Sequence, residues 1–525
     1  MADWAKPKLD RTQIVLFSPT LEETIPQDHP VRLVDEILRE CDWSQWERHY
    51  CLAIGQPPIH PRVMAGAILY GLTVGVRTSR RLEDACANRL DFMWLVEGRV
   101  IDHSTFCNFR SDFSGELKGL FRQVVRVAMG MGMVNLSCVA LDGTRIKANS
   151  SRHGTSSAER IEQRLKGLDE RIEKIMAEAQ EDERRERELF GEGGTPNRLP
   201  RKLADLKRRK EVMKAAYDAA RRRDEERRRG GRASEKNNPA RVPVSDPEAR
   251  VMPNKEGGHA PNYTALTTVE GKSGMIVGAE VLSEPTEQHR TVEMVKEVKE
   301  QFGEKPSEVI ADSHHGAGPN LAAFEGDGVD AYIPVKEWEG DKENPARRAD
   351  PTKPVAEQDR ARLPRHGGTG KLDKSAFVYD EERDCYWCPM GRALKYLQTQ
   401  VRRQRGGDVK CRRYVCKSCD GCALARDCLK EGARRRSLRR DEHEQVREKV
   451  MARLSTEQGK EIYRRRLWLC ETPFAVMKAW MGIRQFLMRG LRKVTDEFLW
   501  AVTAYDLKKI VWHKRTQMLR NAAAA

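Results

Sequence analysis

The sequence lacks any apolar run long enough to cross a bilayer, and its N-terminal stretch, MADWAKPKLDRTQ, lacks the apolar core of a signal peptide. It also lacks the fixed-period repeats of a solenoid. These absences predict a soluble, cytoplasmic protein. Disulfides rarely persist in that compartment, so we expect the 13 cysteines to be thiols or metal ligands.

Positive charge is in excess along the chain. There are 95 Lys and Arg residues against 79 Asp and Glu residues, which gives a formal net charge of +16. Because phosphate contacts dominate the affinity of basic proteins for nucleic acid, this balance favours nucleic acid over a membrane as the partner. The length of 525 residues predicts roughly three or four structural units.

Helical periodicity marks two regions. In residues 1–135 apolar residues recur at helical spacing, as in VRLVDEILREC and RVMAGAILYGLTVGV. Further on, two heptad seams flank a GEGGTPN turn, with Lys210 interrupting the second seam: Ile161, Leu165, Leu168, Ile172 and Ile175, then Leu203, Leu206, Met213 and Tyr217. This pattern predicts an antiparallel helical hairpin. Its dense charge is typical of a solvated face, and a DNA-contacting arm is the alternative.

Short apolar runs predict the strands of a mixed sheet. CVALD ends on Asp142, and SEVIAD ends on Asp312. YTALTTVEG and MIVGAEVLS predict a β-meander, HRTVEMVKEVKEQFG an amphipathic helix and AYIPVK a further strand. The polar, Pro- and Gly-rich stretch 337–380 is expected to be a loop, and helices are expected from about 440 to 515.

Three acids form a candidate site. Carboxylates at the ends of adjacent strands, here Asp142 and Asp312, can converge, and with a third from a helix they would hold two Mg²⁺ ions. In YRRRLWLCETPFAVMKAW the third acid is Glu471, which a helix would place nearly in line with Lys478. The alternatives are ordinary turn-forming aspartates, including an Asp142-Gly143 turn, and a buried ion pair of Glu471.

The sequence around Glu471 also predicts which side of this helix is buried. That side would carry Leu467, Cys470, Phe474, Met477 and Met481. Pro473 lacks a backbone donor, so it is expected to kink the helix or to mark its restart.

A cysteine-rich stretch predicts a structural zinc site. Two CxxC units some thirty residues apart can close a tetrahedral thiolate site that leaves no open position. The expected ligands are Cys385, Cys388, Cys419 and Cys422, with Cys416 and Cys428 as alternates. The cysteines at positions 41, 51, 86, 107, 138 and 470 are expected in the core.

Together these blocks resemble the DDE transposases of bacterial insertion sequences. The signature around that family's last acid corresponds here to Tyr463, Arg466, Glu471 and Lys478, with Phe474 at its aromatic position. Asp142 and Asp312 correspond to the family's first and second acids. The sequence departs from the family at Ser313-His314-His315, where a small residue and Tyr are more usual, and at Ala475, where Gly is common.

The N-terminal third resembles the helical domain of one branch of this family. The similar blocks are IPQDHPVR, PPIHPRVMAGAILYGLTVGVRTSRRLEDAC and DHSTFCNFR, in that order. DPEARVM followed by PNYTALTTVEG resembles the approach to the core strands in the same branch.

The resemblance implies an α/β fold with an RNase H-like (retroviral integrase-like) catalytic core, a helical N-terminal domain, an inserted helical hairpin and an inserted Cys-rich zinc module. The implied segments are a DNA-binding domain at 1–135, core parts at 136–155, 240–336 and 455–515, the hairpin at 156–239, a loop and zinc insertion at 337–454 and a tail at 516–525.

The resemblance also implies an activity. A nucleoid-associated homodimer would bind the terminal inverted repeats, cut the transposon ends and join the 3′-OH to double-stranded target DNA. Asp142, Asp312 and Glu471 would hold two Mg²⁺ or Mn²⁺ ions, while Tyr463, Arg466 and Lys478 would position phosphates. DNA-backbone contacts are predicted for four arginines, a solvated helix face being the alternative: Arg77, Arg80, Arg81 and Arg110. The competing hypotheses are a catalytically inactive DNA-binding derivative and a nuclease of the same fold without strand transfer.

Overall fold

The computed structural model describes residues 20–50, 57–190, 201–229, 239–254, 257–335, 344–404 and 407–524. The predicted GEGGTPN turn and Cys51 lie outside these ranges. The α-helices are α1 Leu21–Thr24, α2 Pro30–Arg39, α3 Ser44–Glu47, α4 Pro61–Thr73, α5 Ser79–Asn88, α6 Leu90–Leu95, α7 His103–Asp112, α8 Leu117–Gly130, α9 Ala158–Phe190, α10 Arg201–Arg229, α11 Thr291–Phe302, α12 Gly318–Gly326, α13 Ala425–Cys428, α14 Glu444–Ser455, α15 Glu457–Arg464, α16 Arg466–Ala475 and α17 Leu491–Ala524.

The β-strands alternate with these helices, so the fold is mixed α/β. They are β1 Cys138–Lys147, β2 Thr155–Ser156, β3 Val242–Pro243, β4 Arg250–Pro253, β5 His259–Glu270, β6 Ile276–Leu282, β7 Glu308–Ile310, β8 Asp330–Tyr332, β9 Val378–Asp380, β10 Cys385–Trp387, β11 Ala393–Gln404, β12 Gly407–Cys416 and β13 Ser437–Asp441.

The chain divides into two compact units. Unit 1 comprises residues 1–135, 143–287 and 468–525, and unit 2 comprises residues 136–142 and 288–467. The unit boundary falls inside β1, between positions 142 and 143. In the described ranges, no helix combines the length and the apolar character that a membrane span needs.

Helices α2, α4, α8 and α17 form the core of unit 1. Helix α4 starts with Pro61 at its first position, where the missing N–H costs nothing, and the His60 side chain caps it. Nearly every α4 residue is buried, which fits a helix that is apolar all round. The apolar helical spacing noted in this region is thus explained by a helix enclosed by others.

Antiparallel strands and a helix pair complete unit 1. Strand β5 pairs with β4 and with β6, which confirms the predicted meander. Helices α9 and α10 contact each other through buried seam residues such as Ile161 and Met213. Lys210, which interrupts the seam, forms an ion pair with Asp169 on the other helix, and this explains how a charge is tolerated there.

Unit 2 contains a parallel arrangement of β1, β7 and β8. The predicted end of β1 at Asp142 is wrong, because the strand continues to Lys147. The reason is that Thr144 and Ile146 continue the alternation of buried positions beyond Asp142. An Asp142-Gly143 turn is therefore excluded.

A five-stranded antiparallel sheet in the order β13-β12-β11-β10-β9 forms the cysteine-rich part of unit 2. The expectation of a loop over 337–380 is confirmed for most of its described part, which is irregular apart from short 3-10 helices at Glu357–Arg362 and Lys374–Ala376 and strand β9. Ala346, Val355, Leu363 and Leu372 are buried in the apolar core of this sheet, because the segment covers one side of it. Short apolar residues scattered among Pro and Gly carry that packing, and they show no periodicity.

Asp506, in the middle of α17, is fully buried and predicts a pH-dependent stability. Its Oδ1 accepts a hydrogen bond from the Ile276 N–H at 2.9 Å, and burial raises its pKa well above the usual range. A carboxyl with a raised pKa stabilises the fold below its unfolded pKa, and that stabilisation is lost as the pH rises. We expect Asp506→Asn, which keeps an acceptor but no charge, to flatten the fall in thermal midpoint between pH 5 and 8. Asp506→Ala should cost about 1–3 kcal/mol by leaving the N–H unpaired. Equal pH profiles for wild type and Asp506→Asn would contradict this.

Gly143 of β1 lies close to the Leu266 side chain of the neighbouring strand β5. An added Cβ would lie 2.7 Å from Leu266 Cδ2 and 3.3 Å from the Glu287 carboxylate. We expect Gly143→Ala to lower the free energy of unfolding by about 1–3 kcal/mol through overpacking. Combining it with Leu266→Val should cost less than the sum of the two single changes. Gly119→Ala is the control, since nothing lies within 4 Å there, and it should not destabilise. Additive costs would show that the contact is not the cause.

Candidate active site

The register between β1 and β7 brings two aspartates to the same level. Cys138 pairs with Glu308, Val139 with Val309 and Ala140 with Ile310, and the same offset continued by two residues matches Asp142 with Asp312. Neighbouring strands lie about 4.8 Å apart, so the two side chains are adjacent. Both are half-buried, whereas Leu141 and Ala311, which precede them, are buried.

One guanidinium lies against both carboxylates. Arg466 Nη2 is 3.8 Å from Asp142 Oδ1 and 3.8 Å from Asp312 Oδ2. Two carboxylates this close repel each other, and a cation between them relieves the repulsion. The two aspartates thus concentrate negative charge at one point, and a cation is needed there to neutralise it.

The two histidines after Asp312 differ in their surroundings. His314 is exposed, its backbone N–H donates to Asp312 Oδ1 at 2.9 Å, and its ring Nδ1 lies 3.5 Å from Asp312 Oδ2. His315 is buried, with its Nδ1 2.8 Å from Thr291 Oγ1, and burial lowers its pKa to about 4. His315 is therefore a neutral structural residue at physiological pH.

Glu471 is an exposed residue of α16. Cys470, Phe474, Met477 and Met481 are buried as predicted, but Leu467 is 63% exposed, so its predicted burial is wrong. Leu467 lies in the first turn of α16, where the apolar stripe has not yet begun.

Pro473 lies inside α16 and does not end it. The helix instead widens into a π-helical turn over Val476–Trp480, three residues after the proline. A π-turn shifts the angular position of later residues, so Glu471 and Lys478 are not aligned as a regular α-helix would place them.

Lys478 is held against β1 within unit 1. Its Nζ donates to Thr144 Oγ1 at 2.6 Å and to the Arg145 carbonyl at 3.3 Å. These partners lie two and three residues after Asp142 in the strand. Thr144 was not predicted from the sequence, because it can bind Lys478 only as part of the continued strand β1. Tyr463 is half-buried in α15 of unit 2.

The four arginines predicted to contact DNA have different environments. Arg80 and Arg81 are exposed on α5. Arg77 forms an ion pair with Glu497 and donates to the carbonyls of Gly482 and Gln485, so its guanidinium is engaged within unit 1. Arg110 is half-buried beside Arg77 and lines a cavity.

Five thiols surround a small apolar cavity in unit 2: Cys388, Cys416, Cys419, Cys422 and Cys428. The first-choice ligand Cys385 does not line it. Cys385 lies within β10, whereas Cys388 follows the last residue of that strand. Cys411, which the sequence analysis overlooked, is buried elsewhere in β12.

Burial raises the pKa of three of these thiols. It raises that of Cys388, that of Cys416 to about 12 and that of Cys428 to about 11, and neighbouring thiols add to each shift. In the described part of the chain, the group with three potential ligand atoms mutually within 4.8 Å is Glu83, Asp102 and His103. Capping explains that group, since Asp102 accepts from the Ser104 N–H at the start of α7. The thiols are spaced more widely and would have to draw together around an ion.

Two family models match the chain. One, described as a transposase domain (DUF772), matches residues 19–112, and the other, described as a transposase DDE domain, matches residues 387–511. The second match includes Glu471 and the thiol cluster but neither aspartate. No curated protein matches the chain. The two matches lie in the order expected of a DDE transposase of an insertion sequence, and they support membership of the chain in that family of enzymes, which cleave and join DNA.

Proposed function

We propose that this transposase binds the terminal inverted repeats of its element, cleaves the ends and joins the freed 3′-OH to target DNA by two-metal phosphodiester transfer. The observation that carries the proposal is the shared level of Asp142 and Asp312 on neighbouring parallel strands, with Arg466 against both. An RNase H-like core fits the parallel strands of unit 2 and the antiparallel meander of unit 1, each taken by itself.

The donor set fits Mg²⁺ or Mn²⁺. Both aspartates offer hard carboxylate oxygens that remain partly open to solvent, and such ions prefer oxygen ligands and retain waters. Glu471 is assigned as the third acid because it is an exposed carboxylate inside the matched DDE domain. Bound ions would supply an activated water or 3′-OH and stabilise the leaving oxygen.

The protein's own cations have separate parts in this proposal. Arg466 neutralises the aspartate pair in the absence of an ion and is placed to hold a phosphate oxygen when one enters. Lys478 is fixed by Thr144 and Arg145, so its ammonium stays beside the strand that carries Asp142. Tyr463 would contact the DNA near the cut, and Arg80 and Arg81 would contact its backbone. The family implies a dimer on paired ends.

Isosteric changes at the three acids test the catalytic assignment. We expect Asp142→Asn, Asp312→Asn and Glu471→Gln each to lower end cleavage and joining by about a thousandfold or more, since each removes a ligand of the ions. The binding of the labelled duplex by each variant should equal that of the wild-type protein. The measurement uses purified protein, Mg²⁺, a labelled duplex carrying the element's own ends and a target plasmid.

The control for these changes is Glu308→Gln, at the opposite end of β7 from Asp312, which should keep full activity. Full activity in any of the three acid variants would refute the assignment. The wild-type products separate the alternatives. Cuts without joining indicate a nuclease, and retention without cuts indicates an inactive DNA-binding derivative.

We also propose that four of the five clustered thiols bind one structural Zn²⁺. Supporting this are the shared cavity and the burial of Cys388, Cys416, Cys419 and Cys428, each under 10% exposed. Four thiolates would close the coordination sphere, so the ion would stabilise the antiparallel sheet and take no part in chemistry.

Zinc content tests this cluster. We expect purified protein to hold about one zinc ion per chain by elemental analysis, and Cys388→Ser and Cys419→Ser to lose it together with thermal stability. Cys385→Ser and Cys411→Ser are matched controls that should keep the ion, since these cysteines lie outside the cavity. Zinc-free wild-type protein, or equal loss in the controls, would overturn the proposal.

A further inference from the structure

The candidate active site contains a nitrogen donor in addition to its carboxylates. His314 follows Asp312 by two residues, its side chain is 64% exposed, and its ring Nδ1 lies 3.5 Å from Asp312 Oδ2. An N–H···O hydrogen bond spans about 2.7–3.2 Å, so a hydrogen bond to Asp312 does not account for the position of the ring. Because imidazole is the commonest metal ligand among protein side chains, the ring is a candidate ligand.

The two carboxylate oxygens of Asp312 have different surroundings. Oδ1 accepts a hydrogen bond from the His314 backbone N–H at 2.9 Å. Oδ2 faces Arg466, whose Nη2 lies 3.8 Å away, and the His314 ring lies beside this same oxygen. Oδ2 is therefore the oxygen placed to bind an ion, and the nitrogen of His314 is next to it.

The spacing of these two atoms suits one shared ion. Adjacent ligand atoms of an octahedral ion, each bound at about 2.1 Å, lie about 3 Å apart. The observed separation of 3.5 Å between Nδ1 and Oδ2 exceeds that value by about half an ångström. The side chain of His314 is exposed, so a small rotation can close this gap without displacing any core packing.

The turn after Asp312 is held from its buried side. The ring Nδ1 of His315 lies 2.8 Å from Thr291 Oγ1, and its backbone N–H donates to the Asp312 carbonyl at 3.1 Å. The carbonyl of His315 accepts a hydrogen bond from Asn320 Nδ2 at 3.2 Å. Because His315 is anchored in this way, the backbone of His314 stays beside Asp312 while its ring remains open to solvent.

We propose that His314 is a ligand of the ion on Asp312, and that it makes the site prefer a divalent transition-metal ion over Mg²⁺. The inference rests on the proposed function, because it takes Asp312 as a ligand of a divalent ion. Mg²⁺ is bound mainly by oxygen atoms and retains its waters, whereas imidazole suits transition-metal ions. A contact between the exposed ring and DNA is the competing role, and the experiment separates the two.

The test is pulsed electron paramagnetic resonance of Mn²⁺ bound to the full-length protein, with histidine isotopically labelled at nitrogen and without DNA. We expect a hyperfine coupling from a bound histidine nitrogen. His314→Gln should remove this coupling and weaken Mn²⁺ binding by about tenfold. It should weaken Mg²⁺ binding, measured by displacement of Mn²⁺, by less than about threefold.

His103→Gln is the matched control. His103 belongs to the described group of potential ligands formed with Glu83 and Asp102, so it is the competing source of a histidine coupling. This variant should keep both the coupling and the two affinities. The wild-type spectrum needs no variant, so it remains informative even if His314→Gln fails to fold.

Bound Mn²⁺ without a histidine coupling in the wild-type protein overturns the inference, as does a coupling that survives His314→Gln. Equal weakening of Mn²⁺ and Mg²⁺ binding overturns the proposed preference. An unchanged Mn²⁺ spectrum together with weaker binding of duplex DNA by His314→Gln assigns the ring to DNA instead. Failure of the proposed function is distinct, since Asp312→Asn would then bind Mn²⁺ as tightly as the wild-type protein.

Discussion

The parallel pairing of β1 with β7 is the constraint on which the candidate active site depends. A shift of one residue would turn Asp142 to the other face of the sheet, because strand side chains alternate. The observed offset keeps it level with Asp312. Burial enforces that offset, since Val139, Ala140, Val309 and Ile310 are fully buried and any slip would expose them. Apolar packing therefore forces two like charges together, and the fold supplies Arg466 to make that arrangement stable.

Other parts of the structure are arranged around the same strand. Lys478 is bonded to Thr144 and Arg145, and the segment after it is bonded to Lys147, so the part of β1 that belongs to unit 1 holds this segment in place. The strand can continue past Asp142 because Gly143 permits a close approach to Leu266. The thiol cluster belongs to the core of a separate, five-stranded sheet.

Much of this organisation is encoded locally and was predicted from the sequence. Apolar runs ending on Asp142 and Asp312, the helix around Glu471 and the paired seams of α9 and α10 each follow from short-range patterns. What could not be predicted depends on contacts between distant segments. The pairing partner of β1 decides where it ends, Cys385 lies outside the cavity that the other thiols line, and the pair with Glu497 occupies Arg77. Neither the spacing of residues along the chain nor their charge predicts which distant residue each one will contact.

The central claim is that Asp142, Asp312 and Glu471 hold the same ions. Iron-mediated cleavage of the protein tests it without requiring activity, since Fe²⁺ that replaces Mg²⁺ generates hydroxyl radicals only beside its ligands. With ascorbate and peroxide, the account predicts polypeptide cuts near all three acids, each suppressed by excess Mg²⁺. Cuts near Asp142 and Asp312 with none near Glu471 would contradict it.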